Sequence, residues 1–157
     1  MSTNSTIAYK CPDTGTISMI RVHWDGYLSG VGQTLFTHYI DLNKIKELIA
    51  LGSLSSVHEC VSATSEDLTH SYETPTKGVT VAYTRDRGDK QQLDSVYVNF
   101  AEYLSCSHLE EFNYLFMDNK WFVFEHGYGG YITKSGKFIE LNDILKQDSN
   151  TQFSLPM

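Results

Sequence analysis

Three side chains that could ligate a metal stand near the start of the chain: His23, Asp25 and His38. A His and an Asp two residues apart on an extended segment project to the same side. A turn that brought His38 back to them would assemble two imidazoles and a carboxylate, the donor set of an open catalytic metal site. In that form the chain would be a metal-dependent phosphoester hydrolase. Each residue also has an ordinary structural role to weigh against this. His23 can be a satisfied core imidazole, Trp24 a packing anchor, and Asp25 an acceptor for backbone amides in a turn.

The surrounding stretch, Arg21 to Tyr39, reads RVHWDGYLSGVGQTLFTHY and holds three of the eleven glycines. Gly26, Gly30 and Gly32, interleaved with Tyr27 and Val31, precede a helix-forming run, where exposed amides can hold an anion. The spacing matches neither the dinucleotide fingerprint nor the P-loop, and no lysine follows. A tight strand-to-helix connection accounts for the glycines equally well. Farther along, Arg85, Asp86 and Arg87 close a strand-like run, with the two arginines on one side and the aspartate on the other. Two guanidiniums there suit bidentate capture of a carboxylate or phosphate. They could equally lock the acidic segment before them through Glu66, Asp67 or Glu73. If the two segments meet, Trp24 to Tyr27, Gly30 to Gly32 and Arg85 to Arg87 form a pocket for a small anionic ligand. No Ser/His/Asp or Cys/His set can be nominated, no nucleophile elbow is present, and no cofactor is implied.

Charge narrows the partners. The formal net charge is −7. No Lys or Arg lies between Lys46 and Lys77, nor between Lys90 and Lys120, while both spans carry acids. Such fields repel phosphate backbones and argue against sequence-blind nucleic-acid binding; they are compatible with a basic surface on a partner protein, and equally with an ordinary solvated face. Cys11, Cys60 and Cys106 show no CxxC spacing, which argues against a disulfide framework and a structural zinc site. No apolar run approaches ~18 residues and the first residues have no signal core, so the expectation is a cytoplasmic protein without a membrane segment.

The elements that must position these residues follow from periodicity. At 157 residues the chain fits one domain. Ile7 to Lys10 and Thr16 to Trp24 read as a hairpin around Pro12-Asp13-Thr14-Gly15. Apolar residues on both faces of the second run mark a central strand. Gln33 to Tyr39 reads as a short helix. A second helix follows, capped by Asp41, with Leu42, Ile45, Leu48 and Ile49 on one face and Gly52 past its end. Ser53 to Gly78 loses periodicity, and residues 60–78 are expected as a long loop. Val79 to Thr84 reads as a strand, and Ser95 to Leu104 fits strand or helix. Asn113 to Met117 and Lys120 to Glu125 form a hairpin around Asp118-Asn119. After a glycine-rich connection (Gly127, Gly129, Gly130), a further hairpin spans 131–140 around Ser135-Gly136. A short helix over 141–146 and a frayed tail over 148–157 follow. The fold expected is α+β, an antiparallel sheet of five or six strands with two or three short helices on one face.

HWDGYLSGVGQTLFTHY, KIKELIALGSLSSV and AYTRDRG together resemble a family of small uncharacterised proteins from bacteriophages and prophages. Its members share an HWDGYPxGVGxxLxxHY opening, a helix ending in LIxLGxLS, and a YxRDRG strand end. The likeness covers residues 16–57 and 79–89, with a weaker echo at EEFNYLFMDNKWFV. Leu28 departs from the family's proline, which loosens the turn and spares its glycines. The resemblance implies a phage setting and brings no activity with it. The expected function is therefore a non-enzymatic accessory protein acting in the host cytoplasm by binding, inhibiting a host enzyme or defence system. Its partner would be a host protein or a small anionic or nucleotide ligand. The alternatives are the metal-dependent hydrolase above and a structural or virion-associated protein, to which a homo-oligomer would point.

Overall fold

A computed structural model describes residues 3–64, 69–90, 95–104, 110–125 and 139–145. The expected hairpin forms: β1 (Ser5–Lys10) pairs antiparallel with β2 (Ile17–Val22), from Ser5 opposite Val22 to Lys10 opposite Ile17. Gly15, at φ 78°, supplies the left-handed residue that closes the turn between them. β2 does prove central. On its far side it pairs with β3 (Leu54–Ser56) through Val22 and with β5 (Ser95–Tyr97) through Ile17 to Met19.

β1 continues the sheet in the other direction through β6 (Phe112–Met117), β7 (Lys120–Glu125) and β8 (Ile139–Glu140). The opposite end runs from β3 to β4 (Val81–Ala82). The sheet thus has eight strands and is mixed: β1/β6 and β2/β3 are parallel, and the rest are antiparallel. This corrects the expectation of five or six antiparallel strands. Antiparallel hairpins announce themselves locally through a turn, whereas a parallel pair is made between segments distant in sequence. For β1 and β6 the link is a buried side-chain bond. Thr6 Oγ1 donates to Asn113 Oδ1 at 2.8 Å, and Asn113 Nδ2 donates to the carbonyls of Glu110 and Phe124. A one-residue slip would leave this amide buried without partners, so it pins the register.

The helices correct the expectation further, because they cover both faces. On one face, a π-type turn (Leu28–Gly32), α1 (Gln33–His38) and α2 (Leu42–Ala50) bury Val31, Leu35, Ile45, Leu48 and Ile49 against Ile7, Ile20, Val22 and Tyr114. A helical stretch at 141–145 adds Leu141, Ile144 and Leu145 to that core. The other face carries a smaller cluster of Ala8, Ile17, Met19 and Leu115 under Tyr97 and Tyr103, the latter from α4 (Phe100–Leu104). Ser95 to Leu104 is therefore strand first and helix second. α2 forms as its signals require: the Asp41 carboxylate accepts from the Asn43 amide at 3.1 Å, and Gly52 takes φ 78° after the last turn.

Residues 53–78 contain β3, which the failure of periodicity had hidden, and a bridge from Cys60 to Val79. The run read as a strand to Thr84 breaks at Tyr83, where α3 (Tyr83–Arg87) begins. The glycine-rich connection, the 131–138 part of the last hairpin, the tail over 148–157 and Cys106 lie outside the described residues. Among those described, no helix is long and apolar enough to cross a membrane.

Candidate functional site: the Trp24 bend

β2 ends where the His23 and Trp24 amides donate to the Leu54 and Ser55 carbonyls of β3. Asp25 then turns the chain with φ 59°, a left-handed conformation that aspartate tolerates better than most residues. The glycines that follow are required by close approach. A Cβ on Gly26 would lie 2.8 Å from both the Thr3 carbonyl oxygen and Ser5 Cβ; on Gly30 it would overlap the Asp25 carbonyl oxygen; on Gly32 it would press the Tyr114 ring. Beneath the bend, buried Tyr114 donates its hydroxyl to the Gly26 carbonyl at 2.6 Å.

This geometry removes the anion cradle. The Gly26 amide donates to the Thr3 carbonyl, Gly30 and Gly32 donate to Tyr27, and Val31 donates to Asp25. An amide already bonded to a carbonyl has no hydrogen left for a ligand.

The metal triad is not assembled either. His23 Nδ1 shares a 2.9 Å hydrogen bond with the Tyr83 hydroxyl, and Asp25 accepts from the Tyr27 hydroxyl at 3.1 Å. His38 points elsewhere, with Nε2 3.9 Å from Glu59 Oε2. It lines an open cleft of about 480 Å³ together with His58, Glu59 and Lys77, three residues the sequence reading did not single out. Among the described residues, no group of three or more His, Cys, Asp or Glu side chains could hold a metal ion.

The two segments expected to meet do meet, through His23 and Tyr83, but the arginines are committed to the fold. Because α3 is helical, Arg85 and Arg87 are not displayed side by side at a strand end. Arg85 Nε and Nη2 fork onto both oxygens of Asp86, each at 2.9 Å; Nη2 also reaches the Thr80 carbonyl, and Nη1 reaches the Val61 carbonyl and Ser62 Oγ. Five bonds occupy all five donors of a guanidinium. Arg87 forks onto Asp89 at 2.8 and 2.6 Å and lies over the neighbouring rings of Tyr72 and Tyr83, 4.7 and 4.4 Å from their centroids. The Asp89 hydrogen bonds raise its guanidinium pKa further and hold the Asp89 carboxyl below the usual range. The pocket for a small anion therefore loses both of its cations.

Asp86 is the hub of this clasp, its side chain only 5% exposed. It accepts from Arg85, from the Ala82 amide at 2.8 Å and from His70 Nε2 at 3.3 Å. The Thr76 amide donates to His70 Nδ1 at 2.9 Å, so the ring proton sits on Nε2 and faces Asp86. With its only lone pair taken, this imidazole cannot act as a general base, and the buried His–Asp pair is structural. Burial pushes the Asp86 carboxyl up, but the Arg85 and Ala82 hydrogen bonds and the nearby charges outweigh it and leave the pKa below its ordinary value. Neither His70 nor Tyr72 announces this role through sequence spacing.

What remains open at the bend is aromatic and acidic. Trp24 is 43% and Tyr27 42% exposed. The indole stacks on His23 at 4.6 Å with a 10° interplanar angle, and Tyr27 is held by Asp25. Asp25 hydrogen bonding and charge raise the Tyr27 phenol above its usual range. Compared with models of protein families, with curated proteins and with solved structures, the chain matches none.

Proposed function

We propose that the chain is a phage accessory protein that works by binding a host protein at the Trp24 bend and inhibiting it. The observation that carries this reading is the contrast at the bend. His23, Arg85, Arg87 and the glycine amides read as catalytic or anion-binding are bonded to the fold, while Trp24 and Tyr27 are exposed and anchored by His23 and Asp25. Exposed aromatics with few conformations to lose are the residues that dominate protein interfaces. The acidic surplus steers such a surface toward a basic partner. The resemblance of the HWDGY and RDRG strings supports the phage setting. Between the two partner classes considered, the protein is favoured over a small anion because Arg85 and Arg87 have no role left to offer.

The test is capture from host lysate by the immobilised chain, repeated with Trp24→Ala, followed by reconstitution with the purified captured protein. A stoichiometric complex that inhibits the partner and weakens at least tenfold with Trp24→Ala fits the proposal; an interface hot spot of ~2 kcal/mol is worth more than that factor. A complex indifferent to Trp24 overturns it.

A further inference from the structure

The structure contains a filled example of one recognition geometry and, one contact away, an open one. In the filled example Arg87 lies against two aromatic rings, Tyr72 and Tyr83, with its fork on the Asp89 carboxylate. Tyr83 also carries the hydrogen bond to His23, on which the Trp24 indole stacks. Beside that indole comes Asp25, exposed, its carboxylate accepting one bond from the exposed Tyr27. The bend thus repeats the same ingredients, aromatic faces and a carboxylate, within four consecutive residues. Three of the described cations have partners of their own. Arg21 pairs with Glu110 at 3.4 Å, Arg85 is saturated, and Lys44 donates to the His38 and Glu59 carbonyls.

We infer that the bend takes an arginine side chain from a basic segment of the partner protein, the guanidinium lying on the outer face of Trp24 and bonding Asp25. This rests on the binding reading above and specifies its chemistry. Indole has the strongest cation-attracting face of the aromatic side chains. A planar guanidinium stacks on a ring while its edge still forks to a carboxylate, whereas a lysine ammonium is compact, more strongly hydrated and cannot do both. The net charge of −7 draws basic segments toward the whole molecule. Asp25 is held ready by its left-handed backbone, a conformation maintained by the Val31 amide on its carbonyl at 2.8 Å.

The experiment uses the intact protein, ¹⁵N-labelled, titrated with three blocked tetrapeptides made of arginine, lysine or citrulline. The chain has two tryptophans, and the buried one, Trp121, donates its indole N–H to the Tyr39 carbonyl and serves as an internal reference. The expected result is a saturable shift of the Trp24 indole and Asp25 amide resonances with the arginine peptide. Affinity should exceed that for the lysine peptide by about fivefold, the scale of an exposed cation–π contact. Citrulline, with the same shape and no charge, should cause no shift. Asp25→Asn should weaken the arginine peptide several-fold, and raising salt from 0.05 to 0.5 M should do the same (estimated from screening, about a Debye length of 10 Å at 0.1 M). Equal binding of the arginine and lysine peptides overturns the inference, as do shifts that map away from the bend or no shift at all. If capture depends on Trp24 yet no arginine peptide moves its resonance, the binding reading stands and the arginine chemistry is wrong. If the peptide binds at Trp24 and capture ignores it, the reverse holds.

Discussion

Tyr114→Phe removes one oxygen atom from under the bend and leaves the ring that fills the core. That hydroxyl donates to the Gly26 carbonyl at 2.6 Å in a buried setting. A buried carbonyl stripped of its donor costs about 1–3 kcal/mol. For a chain of this length each kcal/mol moves the melting temperature by about 2–4 °C, so a loss near 2 kcal/mol appears as a drop of about 4–8 °C. Gly32→Ala sharpens the test. Gly32 has helical dihedrals, φ −56° and ψ −52°, so alanine should gain helix propensity of up to about 1 kcal/mol. Its new Cβ, however, would lie 3.1 Å from the Tyr114 hydroxyl oxygen and 3.2 Å from Cε1. With the oxygen gone, part of that crowding goes too, and Gly32→Ala should be more favourable in the Phe background by at least about 0.5 kcal/mol. Urea denaturation followed by circular dichroism on the four proteins of the cycle reads both numbers. A Tyr114→Phe loss below about 0.5 kcal/mol, or strict additivity, would refute the reasoning that this hydroxyl holds the bend.

Asp86→Asn breaks the buried clasp and should cost about 3 kcal/mol, with faster hydrogen exchange at the Ala82 and Thr76 amides. Because the folded Asp86 pKa lies below the unfolded value of about 4, its stabilising contribution is complete above that pH and fades as pH falls through the folded value. The gap between wild type and Asp86→Asn in urea midpoint should therefore narrow on acidification below pH ~4. Tyr39 behaves oppositely: burial pushes its phenol up to about 12, above the unfolded value near 10. Its contribution, which includes the 2.6 Å bond to the His58 carbonyl, is present below pH ~10 and is lost as pH rises toward 12. The stability difference to Tyr39→Phe should shrink across that range. At Cys11, hydrogen bonding from Thr14 lowers the thiol pKa. Peptide-resolved alkylation at pH 7.5 should run faster there than at Cys60 and slow by a few-fold in Thr14→Val.

The parts of the fold that were legible in the sequence are those whose causes are local. The β1/β2 hairpin follows from the Pro12–Gly15 turn. The β6/β7 hairpin follows from Asp118 and Asn119, which take φ 53° and 61° as a tight two-residue turn demands. α2 follows from its cap, its apolar face and Gly52. The parallel β1/β6 pairing depends on Thr6 meeting Asn113, more than a hundred residues away, and nothing in either neighbourhood signals it. Arg85 and Arg87 read as one face of a strand end because the run before them has the composition of a strand. The Asp86 carboxylate instead takes the Ala82 amide, the chain curls into α3 at Tyr83, and the arginines separate to different partners. At the bend, residue types marked a tight turn and left its cause hidden. The glycines are small so that Thr3, Ser5 and Tyr114 can approach, a reason contributed by distant segments, and their amides were never free.

The measurement closest to the central claim is hydrogen exchange on the reconstituted complex of this chain with its captured partner, compared with the chain alone. Binding at the bend predicts new protection concentrated in peptides covering residues 23–29, with the 75–78 wall of the His38 cleft unchanged. Protection at that cleft or on the acidic spans, with residues 23–29 exchanging as in the free protein, would contradict it.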